Sequence, residues 1–176
     1  PSKIEKIVKH LKENKSTACA ITDHGNMSGV IKFQKQCKDA GIKPILGIEA
    51  YICPNQMSAT DKSPANRRLN HIVLLAKNKI GYSNLLKLVY LSNKSERYYY
   101  KPRIDEELLF ENSEGIIVLN GHFDTSIFDC LIYNMDALKK CETVEEGQDY
   151  LFPNYKEKVL EVANRYRTVF KDDFYI

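Results

Sequence analysis

No apolar run approaches the roughly 18 to 20 residues that a membrane-spanning helix needs. The opening Pro1 to His10 carries lysines in an amphipathic pattern, without the apolar core of a signal peptide. No membrane partner is therefore expected. Charge of one sign is also scarce: 26 basic against 23 acidic side chains leave a net +3, too mild by itself to argue for nucleic acid. The five cysteines (Cys19, Cys37, Cys53, Cys130 and Cys141) are odd in number and scattered, with no C-x-x-C pair. That excludes a disulfide framework or a zinc knuckle and makes a reducing, cytoplasmic location the simplest expectation. Neither G-x-S-x-G nor G-x-x-x-x-G-K-[ST] occurs, so an esterase elbow and a Walker loop are excluded. What remains is 176 residues, 43% hydrophobic and 28% charged, enough for one ordinary globular domain.

The pattern alternates helices with short apolar strands. Ile4, Ile7, Val8 and Leu11 recur at helical spacing, and Ser2 with Glu5 has the S-x-x-E capping-box form. Ala18 to Ile21 reads as a buried strand ending in the loop Thr22-Asp23-His24-Gly25-Asn26. A helix from about Gly29 to Ala40 follows, closed by Gly41. Pro44 to Leu46 and Ile48 to Cys53 are extended, and residues 54–68, polar and without period, read as a surface loop. His71 to Ala76 is a strand, and Tyr82 to Lys94 a helix with Leu85, Leu86, Leu88 and Val89 inward. After the run Tyr98-Tyr99-Tyr100-Lys101-Pro102-Arg103 come a short helix at Asp105 to Phe110 and a strand at Ile116 to Leu119. A last amphipathic helix spans Tyr155 to Phe170, and residues 170–176 hold the start of a further strand. Such alternation predicts an α/β fold with a parallel sheet, helices outside, and a site at the strand ends.

Polar residues at those ends are Asp23 and His24, then Glu49, His71 at its strand edge, and His122 after Asn120-Gly121. Imidazoles and a carboxylate so placed suit a divalent cation such as Zn²⁺, Mn²⁺ or Fe²⁺. The same spacing also fits half-buried, hydrogen-bonded histidines and a surface glutamate. Asp23 is itself a potential ligand, orients His24, or caps the turn before Gly25. Lys101 and Arg103 could contact a phosphate backbone with Tyr99 and Tyr100 as stacking surfaces, or belong to a solvated loop packed by tyrosines.

Five segments in order resemble the PHP domains of bacterial DNA polymerase III alpha subunits. They are Ile21 to Met27, Ala40 to Tyr51, His71 to Lys77 with Gly81-Tyr82 and Asn84 to Leu88, Tyr99 to Ile104, and Glu114 to Gly121. The resemblance implies a distorted β/α barrel with a metal cluster at its strand ends, whose ligands correspond here to His24, Glu49, His71 and His122. Many relatives carry Cys where His122 stands; His binds metal as well. The family's opening H-x-H strand and its closing D-x-H strand have no counterpart in residues 1–176, so the expected fold is a single, incomplete PHP barrel.

The resemblance further implies a role in DNA replication, through a polymerase whose own Mg²⁺-binding aspartates lie elsewhere in the parent chain. The intact domain would act as a metal-dependent 3′–5′ proofreading exonuclease, with DNA, an exonuclease subunit and the sliding clamp as partners. Residues 1–176 alone, with half the ligands missing, are expected to have little or no nuclease activity. Two rival readings are a docking module that supports the polymerase and an exonuclease subunit, and a phosphoesterase of the histidinol-phosphatase type. The run Lys101-Pro102-Arg103 favours the polymerase group over the latter.

Overall fold

The computed structural model describes residues 3–54, 56–121, 124–131, 143, 148 and 150–176. Helix α1 (Ile4–Glu13) sets Val8 and its apolar neighbours against Phe33 and Cys37 of α2 (Val30–Asp39), so the helical periodicity is used as a packing stripe. Its start differs from the expected capping box. The N-cap is Lys3, without a side-chain bond, and Ser2 lies outside the described residues. Glu5 reaches α2 instead, pairing with the Lys32 ammonium and accepting from Gln36. Those bonds, the Lys32 one foremost, hold its carboxyl down to about 2. Gly41 follows α2 at φ +71°, the left-handed closure that its position in the sequence predicts.

Among the described residues six strands build one open, mixed sheet in the order β1-β2-β3-β5-β6, with β4 paired to β2. They are β1 (Ala18–Ile21), β2 (Lys43–Ile52), β3 (Asn70–Ala76), β4 (Arg103–Ile104), β5 (Ile116–Leu119) and β6 (Phe174–Tyr175). The α/β class holds, with the sheet open and not closed into a barrel. The parallel sheet expected from the alternation does not hold: β2 runs parallel to β1 and β4 but antiparallel to β3, as β3 does to β5. A parallel return requires a crossover of a dozen or more residues, usually helical. Between β2 and β3 there is only the 3-10 turn Pro64–Arg67, and the chain simply doubles back.

Burial alternates along the central strands. Ile48, Ala50 and Ile52 of β2 and Ile72 and Leu74 of β3 are buried, whereas Glu49, Tyr51, His71 and Val73 are only partly so. The buried set forms the core with Leu85 and Leu88 of α3 (Lys79–Ser92), Leu108 and Leu109 of α4 (Glu106–Glu111), and Val162, Tyr166 and Phe170 of α6 (Tyr155–Phe170). A short α5 (Ser126–Leu131) adds Ile127. Each fully buried aliphatic side chain contributes about 1.5–3 kcal/mol, so period 2 in the strands commits the Glu49/Tyr51/His71 face to remain outside the core. One inward assignment fails: Leu86 of α3 is 44% exposed. The helix begins three residues earlier than expected, because the Asn78 side chain caps it by accepting from the Gly81 amide.

Gly81 is where α3 meets the turn before β5. A Cβ there would lie 1.8 Å from the Gly115 carbonyl oxygen, and Gly115 itself has φ +72°. Gly81→Ala must separate two backbones, and the expected cost is about 1–3 kcal/mol. Hydrogen exchange should report it as faster exchange at the Lys77 amide, which donates to Gly115. An unchanged rate there would contradict this packing.

Residues 54–68 are anchored more firmly than a surface loop, since Ala59 and Asn66 are both fully buried. Their anchor is Arg103. Its guanidinium donates to the carbonyls of Ala59 (2.7 Å), Asp61 (3.1 Å), Asn66 (3.0 Å) and Arg97 (3.1 Å) and is itself completely buried. The expected nucleic-acid contact by Arg103 is therefore corrected. Its donors face inward, where they satisfy the buried carbonyls of Ala59 and Asn66 and the partly buried ones of Asp61 and Arg97.

Candidate metal centre

The loop after β1 does not leave the sheet. The Glu49 amide donates to the Asp23 carbonyl (3.1 Å) and the Gly25 amide to the Glu49 carbonyl (2.9 Å), which sets His24 beside Glu49. Gly25 makes this possible: its φ is +66°, and a Cβ would lie 2.9 Å from both the Pro102 and Tyr51 side chains. On the other edge of β2, Tyr51 pairs with His71 and Glu49 with Val73, so His71, Glu49 and Tyr51 share one face.

The Glu49 carboxylate lies between two imidazoles. Oε1 is 2.8 Å from Nδ1 of His71, and Oε2 is 3.5 Å from Nδ1 of His24. One ligand atom from each of His24, Glu49 and His71 falls within 4.8 Å of the other two. The ring centroids of His24 and His71 are 5.4 Å apart. Glu49 and His71 are mostly covered while His24 is 58% exposed, so the cluster opens to solvent on the His24 side. A carboxylate only accepts, so the 2.8 Å bond requires the proton on Nδ1 of His71. Two imidazoles and one carboxylate fit a divalent cation of the zinc, manganese or iron kind by donor chemistry and by spacing.

Of the residues singled out from the sequence, His24, Glu49 and His71 converge. His122 lies outside the described residues, but the chain on either side of it is tied to β3. Leu119 pairs with Val73, and the Asp124 carbonyl accepts from the His71 amide at 2.6 Å. Asp23 contributes its backbone to the Glu49 clamp. Its Oδ2 faces Gly29, 2.9 Å from the Cβ position there, and no hydrogen bond joins its carboxylate to His24 among the described residues. The carboxylate facing His24 is that of Glu49, whose Oε2 lies 3.5 Å from Nδ1. Lys101 is exposed, with Nζ 5.3 Å from the Tyr51 ring centroid. Tyr100 is 61% exposed beneath the Arg67 guanidinium, while Tyr99 is half-buried against Tyr100 and Arg103.

Tyr51 was not legible as a site residue, yet its ring stacks on His24 (6.1 Å) and meets His71 edge-on (5.1 Å). The available signal was its place two residues after Glu49, on the same strand face.

The PHP domain family matches residues 1–176, and the chain belongs to it. Among its relatives are the DNA polymerase III alpha subunits of Treponema pallidum, 36% identical over 176 residues, and Campylobacter jejuni, 38% over 176, each match covering 99% of this chain and 13% of the relative. That of Borreliella burgdorferi is 46% identical over 116 residues, covering 66% of this chain and 10% of the relative. The chain thus spans about an eighth or less of these relatives' length. A solved structure assigned as a metal-dependent phosphoesterase from Bifidobacterium adolescentis matches 94% of this chain and 79% of its own at 11% identity, with a TM-score of 0.46.

Proposed function

We propose that this chain is the PHP domain of a replicative DNA polymerase III alpha subunit and that its metal centre hydrolyses the 3′-terminal phosphodiester of DNA. The observation that carries this is one carboxylate, Glu49, reaching two imidazoles from different elements on a solvent-open face. His24, Glu49 and His71 would hold divalent cations, Zn²⁺, Mn²⁺ or Fe²⁺ by donor type, with His122 as a further ligand. Bound there, a cation supplies a water of lowered pKa and stabilises charge on the attacked phosphate. Glu49 holds the His71 ring through Nδ1, and Gly25 and Pro102 keep the His24 loop against β2. Tyr51 covers one side of both imidazoles and limits water there. DNA, the other replicase subunits and a cytoplasmic setting follow from this reading, with Mg²⁺ serving the polymerase site outside this chain. Among the described residues no helix is long and apolar enough to cross a membrane.

The test is release of 3′-terminal nucleotides from single-stranded DNA by the full-length polypeptide. Activity should require Mn²⁺ or Zn²⁺, disappear with chelator, and fall at least a hundredfold in His71→Ala while DNA synthesis persists. Chelator-resistant release, or release unaffected by His71→Ala, would refute the proposal.

A further inference from the structure

We infer that Lys101 is the phosphate-gripping residue of this centre, fixing the anionic oxygens of a phosphate ester beside the metal ligands. The inference rests on the metal-centre reading above and adds the group that selects the substrate. It starts from elimination within one run. Of the basic side chains from residue 97 to 103, Arg97 pairs with Asp105 at 2.9 Å, and Arg103 is buried among four carbonyls. Lys101 alone is exposed, and among the described residues no carboxylate forms an ion pair with it.

Its placement is built by the backbone. The Tyr99 amide donates to the Lys101 carbonyl at 3.2 Å across Tyr100, whose φ is +61°, so the run turns sharply. Pro102 then seats against Gly25, and Arg103 pairs with Tyr51 as β4 joins β2. Lys101 is thereby placed with its ammonium 5.3 Å from the centroid of the Tyr51 ring, which itself contacts both imidazoles. Attraction to the ring face holds the cation without neutralising it, which keeps its three donors for an anion. A lysine ammonium is a compact point charge suited to phosphate oxygens. The ligand class is a phosphate ester or phosphate itself. Arg67, the other cation of this edge, is engaged over Tyr100.

The experiment titrates the full-length polypeptide with inorganic phosphate and with thymidine 5′-monophosphate, each with and without Mn²⁺. Lys101→Ala should weaken both ligands roughly tenfold, the effect of losing one charge-assisted contact. It should leave Mn²⁺ affinity unchanged and raise KM for single-stranded DNA more than it lowers kcat. Lys101→Arg should recover most of the loss. Unchanged phosphate affinity in Lys101→Ala overturns the inference, as does a loss that Lys101→Arg shares in full. A wild-type protein that binds no Mn²⁺ refutes the metal reading instead, and the titrations without Mn²⁺ still decide Lys101.

Discussion

Glu49→Gln is expected to weaken Mn²⁺ binding by roughly a hundredfold or more while leaving the fold intact. The substitution keeps shape and volume, so β2 and its pairing with β3 have no steric reason to change. It removes the negative charge and one of two acceptor oxygens. A neutral amide offers only one oxygen, so it cannot both accept from Nδ1 of His71 at 2.8 Å and present an anionic ligand toward His24 at 3.5 Å. Loss of a partner that merely orients a ligating histidine already costs about 10–100-fold in metal affinity, and the proposed centre assigns both jobs to Glu49. Isothermal titration of the full-length polypeptide reads the effect. Wild-type affinity in Glu49→Gln, with unchanged circular dichroism, would mean that the carboxylate is a structural acceptor for His71 and nothing else.

Arg103→Ala is expected to unlock residues 56–68. The side chain satisfies four carbonyls and carries a charge with no exposure. Removing it leaves the Ala59, Asn66 and Arg97 carbonyls without that donor, while Asp61 keeps the Asn66 side-chain amide, and each buried acceptor left unpaired costs about 1–3 kcal/mol. If opening stays local, at least 3 kcal/mol corresponds to about a hundredfold faster hydrogen exchange at the amides of Met57, Asp61 and Asn66. Arg103→Lys should recover little, because three donors on a flexible stem cannot reach four carbonyls disposed around a planar fork. Exchange as slow as wild type in Arg103→Ala would show that the loop is held by other contacts.

Asp105 gives the same loop an acid limit. Burial raises its carboxyl, but the amides of Ala59 and Leu108 and the Arg97 guanidinium outweigh that and keep it below the ordinary value of 3.8. A depressed carboxylate stabilises the fold fully above its unfolded value and progressively less as pH falls through the folded one. Exchange at Ala59 should therefore accelerate below about pH 3.8, and Asp105→Asn should remove that acid dependence while weakening the loop at neutral pH.

What could be read from the sequence was governed by local patterns. β5 and α6 appear where their apolar periods place them and bury their own stripes, whereas β1 forms at the expected residues but not as a buried strand: it is an edge strand whose residues alternate exposed and partly buried. The convergence of His24, Glu49 and His71 was readable only in part: His24 stands in the loop after β1 as expected, whereas Glu49 and His71 lie within β2 and β3 and meet it across their shared sheet face. Strand direction was not readable: nothing local distinguishes a helical crossover from the bare 53–69 return that makes β3 antiparallel to β2. Arg103 misled for a related reason. A basic residue after three tyrosines reads as a surface cation, and three of the four carbonyls that hold it come from positions 59, 61 and 66, distant along the chain. Tyr51 needed only the strand's period of 2, applied outward from Glu49.

The chemistry stands or falls on whether a single cation sits among these three side chains. Anomalous diffraction from crystals soaked in Mn²⁺ decides it. A peak within bonding distance of the imidazole nitrogens of His24 and His71 and an oxygen of Glu49 is the predicted result. Mn²⁺ at saturating concentration that leaves this face without a peak would contradict it.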